Sequence, residues 1–236
     1  MTTINGATAL VTGGNRGIGK ALVEALYARG ARKVYATARD PRTVTNPDAV
    51  PIALEVTDPA SVAAAAARAD DVTIVINNAG GLVKASFLDS PLEDVRREFE
   101  TNFYGPLNVA RAFVPIIERN GGGHLLNVAS VLSWAAISGS YSASKAALWS
   151  QTNSLRLDLR PRGIQVTGLH VGYVDTDMTA GLDAPKSDPR DVAELAVDGI
   201  EADAFEVLAD ELTRHVKAAL AQDVAVQYPA LAGAGR

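Results

Sequence analysis

Tyr141 and Lys145 lie four residues apart in the stretch "YSASK", between a loop of small residues and a run of helical character. Positions i and i+4 share one face of an α-helix, so the phenol and the ammonium can meet. Together they could form an acid–base unit. A free phenol, with a pKa of about 10, is too weak an acid to exchange protons in both directions at neutral pH. Bringing it close to 7 takes about 3 units, or ~4 kcal/mol, and a cation beside it in a dry site favours the phenolate. The same pair also fits two amphipathic residues on a wet helix face, so the rest of the chain has to decide.

A second cluster could hold an anion. The stretch "TGGNRGIG" (12–19) places Gly13, Gly17 and Gly19 where a β-branched run gives way to a helical one. Glycines let such a turn take positive φ and let the backbone approach a pyrophosphate, which then rests on the helix N-terminus. The spacing is Gly-x-x-x-Gly-x-Gly, not the commoner Gly-x-Gly-x-x-Gly. Its place after the first strand of an alternating chain, more than the string itself, favours a dinucleotide over a plain tight turn.

The elements that must position these groups alternate. Short β-branched runs predict strands at 7–12, 33–37, 51–56, 72–76, 124–129, 164–170 and 204–209. Alanine-rich segments of helical period fall at about 17–29, 59–69, 91–119, 140–159, 189–201 and 210–222. This predicts an α/β fold: a Rossmann-like doubly wound sheet of about seven mostly parallel strands with helices on both faces. No linker, repeat or low-complexity block interrupts the 236 residues, so a single domain over 1–236 is expected.

Composition narrows the function. There is no cysteine, and His124, His170 and His215 are scattered, so no metal site is expected. A formal charge of -5 offers no basic face to nucleic acid or an anionic bilayer. The N-terminus lacks a basic leader, and no apolar run approaches the ~20 residues that span a membrane. A cytoplasmic protein with no membrane partner is expected.

Five features, "TGGNRGIG", "NNAG" (77–80), Asn102 in "TNFYG", Ser130 and "YSASK", occur in the order and approximate spacing of the short-chain dehydrogenase/reductases of the compact single-domain kind. The chain resembles that family to about residue 180. The resemblance implies an oxidoreductase that moves a hydride between nicotinamide and a carbonyl or secondary alcohol, with Tyr141 as acid/base. It implies that Lys145 tunes the phenol and bonds the nicotinamide ribose, that Ser130 bonds the substrate oxygen, and that Asn102 interrupts the long helix to hold a water in a proton relay. Ser133 is the lesser alternative to Ser130. The implied cofactor contacts are Gly13, Asn15, Arg16, Gly17, Ile18 and Gly19 at the turn, with Ala38 and Arg39 after the second strand. Further along they are Glu55 and Val56, then Asn78, Ala79 and Gly80, then Gly172, Val174 and Thr176, besides Tyr141 and Lys145 themselves. Family members commonly dimerise through the helices matching 91–119 and 140–159 and form tetramers through the last strand and its helix, so a homodimer or homotetramer is implied. The alternative is a non-catalytic dinucleotide sensor or scaffold, a type that typically loses the tyrosine or lysine kept here.

Three departures stand out. Val171 precedes Gly172 where the family usually has proline, Glu55 stands where an aspartate usually faces the adenine amino group, and the loop between Ser130 and Tyr141 is short. For the cofactor, Ala38 occupies the position where NAD sites place a carboxylate, while Arg39 and Arg16 offer donors to a 2′-phosphate, which favours NADP(H). Asp40, about 20 residues from the glycines, is the rival ribose ligand and leaves NAD(H) open. Trp134, Ile137, Tyr173, Met178 and Leu182 either line a pocket for a neutral apolar carbonyl compound or simply pack. His215 and the tail "QYPALAGAGR" carry no motif.

Overall fold

Successive residues of a strand point to opposite faces of a sheet, so an apolar run must be covered on both sides. The computed structural model describes residues 1–232 and has this arrangement. In β1 (Thr8–Val11), Ala9 and Val11 join one core while Leu10 joins the other. The first core packs α1 (Gly17–Ala28) and, later in the chain, the helix Pro189–Glu201 against the sheet. The second takes α2 (Pro59–Arg68) and the helix Gly105–Arg119, whose Phe113 is fully buried. Burying one such side chain is worth roughly 1.5–3 kcal/mol.

The remaining strands are β2 (Lys33–Ala38), β3 (Val50–Ala53), β4 (Ile74–Asn77), β5 (Gly123–Val128), β6 (Ile164–His170) and β7 (Glu206–Leu208). Among the described residues the seven form one sheet of order β3-β2-β1-β4-β5-β6-β7. Every neighbouring pair is parallel, so "mostly parallel" becomes wholly parallel. From β1 the chain winds outward to β3, then returns to the other side of β1 as β4. That reversal opens a crevice at the carboxyl ends of β1 and β4, where open α/β sheets bind ligands.

The helix expected over 91–119 is divided. It runs as α3 (Leu92–Phe99), a π-helical turn over Glu100–Tyr104, and α4 (Gly105–Arg119). A π turn adds a residue to the helical repeat and re-aims the helix beyond it. Next comes α5 (Gly139–Leu159), the helix of "YSASK", then α6 (Pro189–Glu201) and α7 (Glu211–Ala218). The 210–222 helix thus ends early, and two short turns, α8 (Val224–Gln227) and α9 (Pro229–Ala232), come after it. The last four tail residues, 233–236, lie outside the described part.

A buried polar ladder fixes α5 against the sheet. Asn77 Nδ2 donates to Asn127 Oδ1 (2.9 Å), Asn127 Nδ2 donates to Thr152 Oγ1 (2.9 Å), and Thr152 donates to Leu148 O (2.7 Å). Such buried groups must be paired, and these join β4, β5 and α5 beneath the crevice. No described helix is long and apolar enough to cross a membrane, and the described residues hold no group of three or more potential metal ligands.

Candidate active site

At the end of β1 the chain turns into α1 through Gly13 (φ +64°) and Gly17 (φ +51°), both in the left-handed region that glycine tolerates. A Cβ at Gly19 would stand 2.0 Å from Gly13 O and 2.5 Å from Asn78 Nδ2, so only glycine lets α1 start this close to the turn. The helix begins without a side-chain cap and without an acid in its first turn. Its leading N–H groups and positive dipole end are therefore open to an anion, which fits the pyrophosphate of a dinucleotide. Ile18 packs on the first core and anchors the turn from behind.

Thr12, given no role in the motif, is the hub of this region. Its hydroxyl accepts from Asn78 N and Ala79 N (2.9 Å each), while Asn78 Nδ2 donates to Thr12 O (2.8 Å) and Gly13 O (3.2 Å). The ends of β1 and β4 are thus locked together on either side of the crevice. A side chain at Gly80 would reach to 3.3 Å from Asn102 Oδ1 and 3.7 Å from Lys145 Nζ, so its absence leaves those groups facing each other.

The catalytic candidates converge on that point. Asn102 sits in the π turn with no exposed surface; its Nδ2 donates to Gly81 O (2.9 Å) and Ser144 Oγ (3.1 Å), and its Oδ1 accepts from Gly81 N (2.9 Å). Lys145 is buried, donates to Val128 O at 3.0 Å, and lies 5.8 Å from the Tyr141 ring centre. Ser130 comes just after β5 and accepts from Leu132 N (3.1 Å). Ser133 is buried as well, with no partner for its hydroxyl among the described residues.

Burial dominates the electrostatics of the pair. Burial holds the Tyr141 phenol above its ordinary value, pushed up to about 12; a hydrogen bond from Ser130 pulls it down and the Glu98 carboxylate adds to the rise. Burial likewise pushes Lys145 down to about 8. Placement on one helix face is as expected, but in the protein alone desolvation outweighs the cation, which bonds a carbonyl instead of the phenol.

At the ribose end, Ala38 is buried at the end of β2 and its carbonyl accepts from Leu54 N (2.9 Å). Arg39 is exposed. Asp40 is occupied: Arg42 Nε and Nη2 each bond it at 2.9 Å and hold its carboxyl below the usual range. Asn15 donates to Thr43 Oγ1 (2.9 Å), and Arg16 pairs with Asp177 at 2.7 Å on the surface. The Glu55 carboxylate accepts from Thr57 N (3.1 Å) and Thr57 Oγ1 (2.9 Å), while Val56 packs where a Cβ on Gly105 would come within 2.8 Å.

After β6, Val174 is buried and its carbonyl accepts from Thr176 Oγ1 (3.4 Å), while Gly17 faces the Thr176 methyl. Gly172 is enclosed by the start of α7. Its N–H donates to Asp210 at 2.6 Å, and a side chain there would meet Asp210 and Leu212, so α7 occupies the space that glycine leaves. Trp134 is core instead of pocket lining: it stacks on His170 (4.1 Å, 17°), with Lys217 Nζ 4.5 Å from its ring. Burial holds His170 down to about 4, so it is neutral at pH 7. Ile137, Tyr173 and Met178 are exposed. The tail also has a contact, since Ala136 N donates to Tyr228 Oη at 2.9 Å.

Comparison with known proteins places this geometry. The family model described as short chain dehydrogenase matches residues 7–187. A 1-deoxy-11-beta-hydroxypentalenate dehydrogenase of Streptomyces avermitilis is 36% identical over 198 residues, covering 77% of this chain and 73% of that protein. An uncharacterized oxidoreductase of Staphylococcus aureus strain N315 is 32% identical over 220 residues, 84% of this chain and 92% of its own. Among solved structures, a short chain dehydrogenase from Burkholderia cenocepacia in complex with NADP superimposes with a TM-score of 0.92 at 37% identity, over 97% of this chain and 98% of that one. One from Burkholderia phymatum in complex with NAD shares the fold, with a TM-score of 0.83 at 24% identity, over 92% and 94% of the two chains.

Proposed function

The chain belongs to the short-chain dehydrogenase family, and from that premise we propose that it is an NADP(H)-dependent oxidoreductase acting on a carbonyl or secondary alcohol, with Tyr141 as acid/base. The observation that carries this reading is the meeting of Tyr141, Lys145, Ser130 and Asn102 at the crevice onto which the uncapped α1 N-terminus opens. A non-catalytic scaffold has no use for a buried ammonium beside a half-buried phenol in that place, because burying the ammonium costs stability.

Gly13, Gly17 and Gly19 would hold the pyrophosphate, and Lys145 and Thr176 the nicotinamide end. A bound nicotinamide supplies or accepts the hydride at the substrate carbon. Ser130 turns its hydroxyl proton to the substrate oxygen, and Tyr141 Oη gives its proton to that oxygen as the C=O π pair becomes an O–H bond. Lys145 then stabilises the phenolate until a proton returns along the path bordered by Gly80 and Asn102. In the reverse direction the phenolate takes the proton from the alcohol. A 2′-phosphate on the cofactor is favoured because Ala38 brings no carboxylate and Asp40 is already bonded to Arg42. The NADP complex of the Burkholderia cenocepacia neighbour supports the same choice.

The test is kcat/KM for NADPH against NADH, in the wild type and in Ala38→Asp. Each charge-assisted contact to the phosphate is worth roughly 1.5–3 kcal/mol, so the wild type is expected to prefer NADPH about tenfold or more and the variant to erase or reverse that preference. A wild-type preference for NADH would overturn the assignment and return Asp40 to the ribose.

A further inference from the structure

Glu98, on α3, is a carboxylate with no exposed surface and no cationic partner among the described residues. Burying a carboxylate costs several kcal/mol unless hydrogen bonds satisfy it. Here neutral donors do so. Oε1 accepts from Val83 N (2.7 Å) and Lys84 N (3.2 Å), and Oε2 accepts the Ser140 hydroxyl. The stretch these bonds hold lies under tension, since Lys84 has φ +60°, a left-handed conformation that costs a non-glycine residue on the order of 1 kcal/mol.

The segment after "NNAG" is therefore fastened at both ends. At one end Gly81 bonds Asn102 in both directions (2.9 Å each). At the other, Ser140 N donates to Ala85 O (3.1 Å), and Gly139 lies so close that a Cβ would stand 2.2 Å from that oxygen. Gly139 and Ser140 open α5 and immediately precede Tyr141. Between its fastenings this segment borders the crevice that must receive the substrate oxygen.

We infer that Glu98 is a positioning residue for the reaction: it clamps the Val83–Ala85 wall of the crevice to the first turn of α5, the turn that carries Tyr141. A glutamine would still offer one acceptor oxygen to Val83 and Lys84 and an amide to Ser140, so it keeps the clamp that an alanine removes.

The inference rests on Tyr141 as the acid/base, and the test keeps the two apart. Glu98→Gln and Glu98→Ala are compared with wild type by KM for the aldehyde or ketone reduced fastest in a panel and by NADPH affinity from fluorescence. Glu98→Gln is expected to keep KM within about twofold. Glu98→Ala is expected to raise the carbonyl KM about tenfold or more with NADPH affinity changed less than about twofold. Should Glu98→Ala fail to fold, Ser140→Ala cuts one side of the clamp and is expected to raise KM in the same selective way. A Glu98→Gln KM as high as that of Glu98→Ala, or a wild-type KM in Glu98→Ala or in Ser140→Ala as its substitute, overturns the clamp. Full activity in Tyr141→Phe would instead overturn the reading of the site itself.

Discussion

Replacing Tyr141 by phenylalanine is expected to lower kcat at least ~100-fold, the scale of losing a general acid, while NADPH affinity and the melting temperature stay close to wild type. The substitution removes one oxygen and keeps the ring. Lys145 retains its bond to Val128 O, Asn102 its bonds to Gly81 and Ser144, and the glycine turn is untouched. On the proposed mechanism, what disappears is the proton given to the substrate oxygen, from a phenol that Ser130 bonds. Loss confined to kcat is the signature of an interaction made only in the transition state. Steady-state kinetics with a cofactor-binding titration checks it, and a wild-type kcat would show that Tyr141 is a packing residue.

Replacing Lys145 by methionine is expected to weaken NADPH binding about tenfold or more, lower kcat, and move the alkaline limb of the reduction profile upward, because the phenol loses its cation. The pH dependence has a defined sign. Burial lowers Lys145 from 10.5 to about 8, so in the wild type the cation is intact well below 8 and is lost as pH rises through it. Wild-type NADPH affinity should weaken across that window beyond any change in Lys145→Met. Stability runs the other way. The folded state resists the charge that the unfolded chain accepts, so the penalty is complete below about 8 and gone above 10.5. Methionine avoids it, and the variant is expected to lose activity without a lower melting temperature at neutral pH. Calorimetry and binding titrations at pH 7 and 9 check both. An unchanged affinity and profile would make Lys145 a structural residue.

The alternation of strands and helices was legible because it is local. "VTIVI" and "HLLNV" need only their own pattern to announce a strand covered on both faces, and the glycines of "TGGNRGIG" mark a turn where no Cβ fits. The candidate residues were found for the same reason, as short motifs in order. What the pattern could not carry depends on partners far along the chain. Trp134 reads equally as pocket lining or as packing until His170 and Lys217 are found against it, and nothing near Gly172 in sequence says that Asp210 accepts from its N–H. Glu98 reads as one charge among several on a polar helix, and nothing nearby in sequence says that Val83, Lys84 and Ser140 enclose it. The desolvation of Tyr141 is a property of the packed interior, whereas the i, i+4 spacing shows only the cation.

The most direct test is the absorbance of NADPH in the presence of a panel of aldehydes and ketones, and of NADP⁺ with the matching alcohols, for wild type and Tyr141→Phe. The expected result is oxidation of NADPH that requires a carbonyl compound, runs backward with its alcohol, and falls at least ~100-fold in the variant. NADPH that binds tightly yet keeps its absorbance with every member of the panel in both directions, or turnover that Tyr141→Phe leaves intact, would contradict it.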